Sequence, residues 1–261
     1  MPWRRPAPRA LSSAIRFIAE LEAEARQHRA VRHPYLRALA SGGLPRPDAA
    51  ARDLTYQYLA YSGNFPRYLT STISRLERPA HREVLLRNLA EEAGHLDEDE
   101  LPALACAGIE RAWIEGVPHP RLYRRFLDAI GMDDSFAATH PYCDEAVVWS
   151  QLFLHCCQES AAKAVGALGL GTELIVREVY RPVLDAIIAY TDVSPRDRVF
   201  FDLHCCVDDA HGRALAAIAI DLAENESQRP DIRLGMLMAL NLRAFFYDHM
   251  MLRAHQAPEE R

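Results

Sequence analysis

The chain has 261 residues, of which 49% are hydrophobic and 25% charged, and its formal net charge is -6. This length and composition allow one large domain with a substantial core. The basic residues are scattered along the chain instead of clustered, which argues against a nucleic-acid partner. No long apolar run follows the basic, proline-rich start, so we predict no signal peptide, no membrane partner and a cytoplasmic location.

The domain organisation that we predict is simple. Residues 1–9 are basic and rich in proline and read as a disordered tail, and residues 10–257 form a single domain. The six cysteines include two adjacent pairs, Cys156-Cys157 and Cys205-Cys206. Their spacing matches neither a zinc ribbon nor a small disulfide scaffold, so we expect reduced thiols in helices.

From Ala10 onward the apolar residues recur at helical spacing, and no strand alternation is present. Glycine and proline clusters divide the chain into segments of helical length, as at Gly42-Gly43, Gly116 to Pro118 and Asn225 to Pro230. The pattern predicts an all-α bundle of seven or more helices. In such bundles, side chains that project inward from facing helices build the cofactor sites.

The first candidate segment along the chain runs from Asn88 to His95. The carboxylate pair Glu91-Glu92 ends an apolar helix there, and Gly94 breaks it. Adjacent glutamates are more often part of a solvated surface. The pair therefore needs partners from elsewhere in the chain before it indicates a site.

A second candidate is Glu173, which follows the small, apolar run from Gly166 to Thr172. A carboxylate after so much small apolar surface is expected to be buried. Burial of a charge requires a partner, such as a metal ion.

The most informative segment runs from Phe200 to His211. Steps of four and seven residues return to the same face of a helix, so His204, Asp208 and His211 share one stripe. Two imidazoles and a carboxylate suit Fe(II) while leaving coordination positions open, although zinc accepts the same atoms. The alternative is an amphipathic helix whose polar face holds these residues without binding a metal.

These three segments, together with the run from His119 to Leu127, resemble the haem-oxygenase-like diiron oxidases, in the same order along the chain. The resemblance covers the chain from about residue 50 to 225. It implies a haem-oxygenase-like helical bundle that holds two iron ions, cycling between Fe(II) and Fe(III). It also implies a homodimer as one assembly to consider.

Carried over residue by residue, the resemblance implies six metal ligands and no further catalytic side chain or organic cofactor: Glu92, His119, Glu173, His204, Asp208 and His211. The chain departs from the family pattern in the long separation of the first two, which we interpret as an inserted helix and loop at about 96–117. His95 is the alternative to His119, because Glu-x-x-His places both groups on one helical face. Glu91 and Glu115 are weaker alternatives to Glu92.

The function that the resemblance implies is oxidation of a small, amino-acid-derived substrate by dioxygen in secondary metabolism, with an external electron donor. Nitrogen-oxygenating relatives often carry an extra carboxylate from an earlier helix. The corresponding segment here, Leu54 to Leu76, has no acidic residue. This favours carbon-carbon cleavage, decarboxylation or desaturation.

Three alternatives stay open at this stage. The first keeps the fold and the irons but oxygenates nitrogen on an amine or amino-acid-derived substrate. The second is a metal-free, thiaminase-like binding or hydrolytic protein, which would rely on a cysteine or an acid pair. The third is a structural zinc protein.

Overall fold

The computed structural model describes residues 12–206 and 210–256. Within these ranges the chain forms fifteen α-helices and no strand. The prediction of an all-α bundle with seven or more helices is therefore confirmed. No helix in the described ranges has both the length and the apolar character that crossing a membrane requires. All six cysteines are free thiols.

The first five helices form the N-terminal part of the bundle and supply one wall of the site described below. The side chain of Ser12 caps the first of them by accepting a hydrogen bond from the backbone N–H of Ile15. Three of the other four begin with a proline, and the one that starts at Phe65 has Pro66 as its second residue. The fixed φ and missing N–H of proline suit the first turn of a helix. Their bounds are α1 Ser13–Gln27, α2 Pro34–Ser41, α3 Pro47–Ser62, α4 Phe65–Arg75 and α5 Pro79–Glu92.

The middle of the chain alternates short helices with longer ones that reach the core. Two short helices occupy the segment that we interpret as an insertion, and a longer helix beginning at His119 follows them. The bounds are α6 Leu101–Cys106, α7 Arg111–Ile114, α8 His119–Ala129, α9 Asp134–Thr139, α10 Asp144–Glu159 and α11 Ala161–Val165.

The C-terminal part contains the longest of the described helices and three turns that depart from α-helical geometry. A π-helical turn and a short 3₁₀ turn connect α11 to α12, and a second 3₁₀ turn precedes α15. The bounds are the π turn Gly166–Leu170, the 3₁₀ turn Glu173–Ile175, α12 Val176–Tyr190, α13 Val199–Cys206, α14 Ala210–Ala223, the 3₁₀ turn Glu226–Gln228 and α15 Arg229–Gln256.

The π turn packs backbone to backbone against α15. A Cβ placed on Gly166 would lie 2.0 Å from the carbonyl oxygen of Ile232, and one on Gly235 would lie 2.0 Å from that of Lys163. Only glycine fits at such a contact. The small residues of this run therefore hold the chain against α15 and fix the start of the next segment, which contains Glu173.

Candidate metal centre

Three potential ligands from three helices meet inside the bundle. Oε1 of Glu92, at the end of α5, lies 3.0 Å from Nδ1 of His119, the first residue of α8. His204 on α13 joins them, so that one ligand atom from each of the three lies within 4.8 Å of the others. The structure thus brings together three of the six ligands that the resemblance implies.

The local fold explains how Glu92 and His119 meet across α6 and α7. The backbone N–H of Gly116 donates a hydrogen bond to the carbonyl oxygen of Gly94 at 2.9 Å. Gly94 has a φ of 96° and lies against Val117, where an added Cβ would be 2.6 Å from the backbone nitrogen. The two ends of the intervening segment are therefore joined, and α8 starts beside the end of α5.

The ring of His204 is oriented by its own helix. Nδ1 lies 2.7 Å from the carbonyl oxygen of Phe200, an acceptor, so Nδ1 carries the proton and Nε2 presents a lone pair. Burial, with the nearby charge of His119, lowers the pKa of His204 to about 4. The imidazole is therefore neutral at physiological pH, which is the form that binds a metal ion.

Glu173 is buried at 9% relative exposure, as the apolar run before it predicts. Burial raises the pKa of its carboxyl group, and the negative charge of Glu92 raises it further. Asn88, buried one turn before Glu92 on α5, is the neighbouring side chain that can donate a hydrogen bond to it. Two buried carboxylates so arranged repel each other unless a cation lies between them.

His211 on α14 contacts Glu91, with its Nε2 hydrogen-bonded to Oε2 of that carboxylate. Burial opposes protonation, yet the hydrogen bond to Glu91 and the charge of Glu173 raise the pKa of His211 to about 9. For Glu92, too, burial disfavours the charged form, but the charge and hydrogen bond of His119 hold its pKa below the ordinary value. His211 is therefore protonated at neutral pH and provides positive charge beside Glu91 and Glu173.

These residues share one cavity of about 100 Å³, enough for several water molecules or a small organic group. Its wall is mostly aromatic and apolar away from the ligands. The described side chains that line it include Tyr58, Tyr61, Phe65, Glu91, Glu92, His95, Glu100, His119, Tyr123, Glu173, Val176, Tyr180, Phe200, Leu203, His204, His211 and Arg243.

The remaining predicted residues are placed as follows. His95 borders the cavity but is exposed, and its Nδ1 lies 3.0 Å from the carbonyl oxygen of Ala90. Glu115 is half exposed and paired with Arg111, away from the cavity. Asp208 lies outside the described residues.

Two charged residues that line the cavity are not indicated by the sequence motifs. Glu100 lies in the segment between α5 and α8, where an acidic run reads as solvated surface, and burial raises its pKa. Arg243 is 1% exposed on α15, in a stretch where aromatic residues at helical spacing suggest only core. A lone arginine in such an apolar stretch was the one available signal.

A second group of potential ligands lies elsewhere in the described ranges: Cys143, Glu145 and His249, within 4.8 Å of one another. Nδ1 of His249 is 3.0 Å from Oε1 of Glu145. The geometry alone is that of an ion pair beside a thiol, and none of the three lines the cavity.

The profile of a family described as iron-containing redox enzymes matches residues 52–244, which is most of the chain. The chain belongs to that family. The matched range includes every predicted ligand, and nitrogen and carboxylate oxygen donors of the kind found in the cavity are ligands that iron accepts. The resemblance recognised from the sequence motifs is confirmed.

Among curated proteins, the enzyme is similar to a 4-aminobenzoate synthase of Chlamydia muridarum (strain MoPn / Nigg). The two are 25% identical over 221 residues, which cover 83% of each chain.

Solved structures show the same fold at low identity. A CADD-like protein of unknown function from Nostoc punctiforme PCC 73102 has a TM-score of 0.71 and 13% identity, covering 95% of this chain and 98% of that one. A TenA homologue from Pseudomonas syringae pv. tomato has a TM-score of 0.66 and 14% identity, covering 96% and 99%. A domain with a haem-oxygenase-like fold from Shewanella denitrificans has a TM-score of 0.62 and 13% identity, covering 91% and 90%. The predicted haem-oxygenase-like fold is confirmed.

Proposed function

We propose that this enzyme binds two iron ions in the cavity and uses them, with dioxygen, to oxidise a small amino-acid-like substrate. The observation that carries the proposal is the meeting of Glu92, His119 and His204 within 4.8 Å, with Glu173 and His211 in the same cavity. Nitrogen and carboxylate donors without thiolates suit Fe(II). Bound ferrous iron would supply the electrons and the open coordination positions at which dioxygen reacts.

The ligand assignment belongs to the same proposal. Glu92, His119, Glu173, His204, Asp208 and His211 would hold the metal ions. His119 is preferred to His95 because it is the histidine beside Glu92. The hydrogen bond from Nδ1 of His204 to Phe200 fixes the tautomer that a metal ligand needs, as is usual for histidines in metal sites.

The other residues of the cavity would bind and orient the substrate and exclude water. Tyr123, Tyr180 and Phe200 surround His119 and His204, with the rings of Phe200 and His204 4.2 Å apart between centroids. Complete reduction of dioxygen needs two electrons more than a two-electron substrate oxidation supplies. An external reductant would provide them.

We place the reaction in biosynthesis and favour carbon-carbon cleavage, decarboxylation or desaturation, because no acidic residue lies between Leu54 and Leu76. The similarity to a protein named for the synthesis of 4-aminobenzoate, a small aromatic carboxylate, supports a biosynthetic role and a small substrate.

Oxygenation of nitrogen is a second candidate, and one observation favours it. Glu100 lines the cavity and so places an additional carboxylate near the predicted ligands, although it comes from a different segment than in nitrogen-oxygenating relatives. A metal-free, thiaminase-like activity that relies on a cysteine has less support, because no cysteine is among the described residues that line the cavity.

The test is turnover of the iron-loaded enzyme with labelled dioxygen and a panel of amino acids and small aromatic carboxylates. Mass spectrometry follows both products and label. Cleaved or desaturated products without label on nitrogen support the proposal, and labelled oxygen on nitrogen supports the second candidate. Product formation that persists after iron removal under anaerobic conditions would contradict both.

A further inference from the structure

The side chain of Arg243 is a buried positive charge in the wall of the same cavity. It projects from α15, is 1% exposed, and lines the cavity with Glu92, His119 and His204. Arginine stays protonated in proteins, and a buried charge is costly unless a counter-charge and hydrogen bonds compensate it. The counter-charges and hydrogen-bond acceptors around Arg243 therefore indicate the role of its guanidinium group.

Among the described residues no carboxylate pairs with Arg243. NH1 donates a hydrogen bond to Oη of Tyr58 at 3.1 Å, and Tyr247 is a second tyrosine partner of the guanidinium group, while Nε is buried without an acceptor. Arg253, ten residues further along α15, shows the ordinary arrangement, because two of its nitrogens each lie 2.8 Å from a carboxylate oxygen of Asp53. Arg243 has the donors for such a pair but lacks the acceptor.

Aromatic rings surround the guanidinium group and leave its Nε without an acceptor. Its carbon lies 5.0 Å from the centre of the Trp149 ring and 5.6 Å from that of Tyr61. Ring faces attract a cation but accept hydrogen bonds poorly. The indole N–H of Trp149 is likewise buried without an acceptor. The cluster is thus rich in donors and poor in acceptors.

Tyrosines connect Arg243 to the candidate metal centre. Oη of Tyr180 donates to Oη of Tyr58 at 3.2 Å, and the ring of Tyr180 lies 5.2 Å from the ring of His204. A ligand in the cavity can therefore reach the guanidinium group at one end while its other end faces His204.

We propose that Arg243 binds the carboxylate group of the substrate. A carboxylate supplies the missing counter-charge and accepts two parallel hydrogen bonds from a guanidinium group. The inference rests on the proposed function for the identity of the ligand as substrate, but the anion site itself needs no iron. Arg177 and Arg181 on α12 are exposed instead of buried, and Arg181 pairs with Asp185 at 2.9 Å.

The test measures ligand binding to the chelator-treated, metal-free protein by calorimetry, so that iron cannot contribute a contact. The probes are benzoate, its uncharged isostere benzamide, and inorganic phosphate. We expect benzoate to bind the wild type about 10- to 100-fold more tightly than benzamide, and Arg243→Met to abolish the difference. Equal binding of benzoate and benzamide to the wild type, or binding of phosphate in preference to benzoate, would overturn the proposal.

Thermal unfolding of the same variants separates anion binding from a structural role in the aromatic cluster. If Arg243 serves a ligand, Arg243→Met leaves the melting temperature of the free protein unchanged or raised, and benzoate no longer increases it. A lowered melting temperature with unchanged benzoate affinity would show a structural role only. If the methionine variant fails to fold, Arg243→Gln removes the charge and keeps a polar side chain, and benzoate affinity equal to that of the wild type would overturn the inference.

Failure of this proposal and failure of the proposed function give different results. Selective benzoate binding by a protein that takes up no iron would leave the anion site standing without the oxidase. Iron uptake and oxygen-dependent turnover that do not depend on Arg243 would leave the oxidase standing without the anion site.

Discussion

The carboxylate of Glu92 and the imidazole of His119 lie 3.0 Å apart although two helices separate them in the sequence. The contact exists because the backbone of Gly116 bonds to that of Gly94 and closes the intervening segment on itself. The site therefore depends on a backbone contact as well as on its ligands.

The choice between His119 and His95 can be tested by iron affinity. We expect His119→Ala to weaken Fe(II) binding at least tenfold, because even supporting residues of metal sites contribute that much. The matched control is His95→Ala, which removes an exposed imidazole at the cavity edge and should change the dissociation constant less than twofold. Anaerobic titration of the chelator-treated protein measures both. Stronger weakening by the His95 substitution would reverse our assignment.

The contact that closes the inserted segment can be tested with a pair of glycines. Both Gly94 and Gly116 have positive φ, but an added Cβ meets backbone atoms at Gly94 and nothing within 4 Å at Gly116. Both alanine variants incur the cost of left-handed backbone. Gly94→Ala should destabilise the protein by about 1–3 kcal/mol more than Gly116→Ala, because its Cβ forces apart the two ends of the inserted segment.

Gly94→Ala should also displace α8, which begins with His119, and so lower iron affinity. Gly116→Ala should retain the affinity of the wild type. Urea unfolding and iron titration give the two quantities. Identical behaviour of the two variants would mean that the contact does not position His119.

Buried thiols predict a loss of stability in alkaline solution. Burial raises the pKa of Cys156, Cys157 and Cys205 to about 12, against 9.0 for a free thiol. Between these values the unfolded chain releases protons that the folded chain retains. The free energy of unfolding should therefore fall as the pH rises above about 9, by at most about 1.4 kcal/mol per pH unit for each thiol.

The measurement is urea unfolding from pH 8 to pH 11 under reducing conditions. Cys157→Ala should flatten the pH dependence, while Cys106→Ser, which changes an exposed thiol, should leave it unchanged. A pH dependence that is equally steep in the Cys157 variant would show that other groups cause it.

The sequence predicts the helical class and much of the candidate site because those features depend on local pattern. The small residues before Glu173 indicate its burial. His204 and His211 both line the cavity, but the structure places them on α13 and α14 and not on one described helix. The sequence does not reveal that Glu91 pairs with His211, because nothing in two adjacent glutamates indicates which of them faces which partner.

Arg243 shows a second limit. Its significance lies in a buried Nε without an acceptor and in the lack of a paired carboxylate among residues 12–206 and 210–256, and such pairing depends on how distant helices pack. Arg243 and Arg253 occur on the same helix, yet only the structure distinguishes the paired arginine from the unpaired one.

The most direct test of the central claim is Mössbauer spectroscopy of protein loaded anaerobically with isotopically enriched Fe(II), before and after exposure to dioxygen. We predict two ferrous ions per chain that are oxidised together to a spin-coupled ferric pair, and loss of that pair in His204→Ala. A single iron per chain, or two irons that remain ferrous in oxygen with and without substrate candidates, would contradict the account.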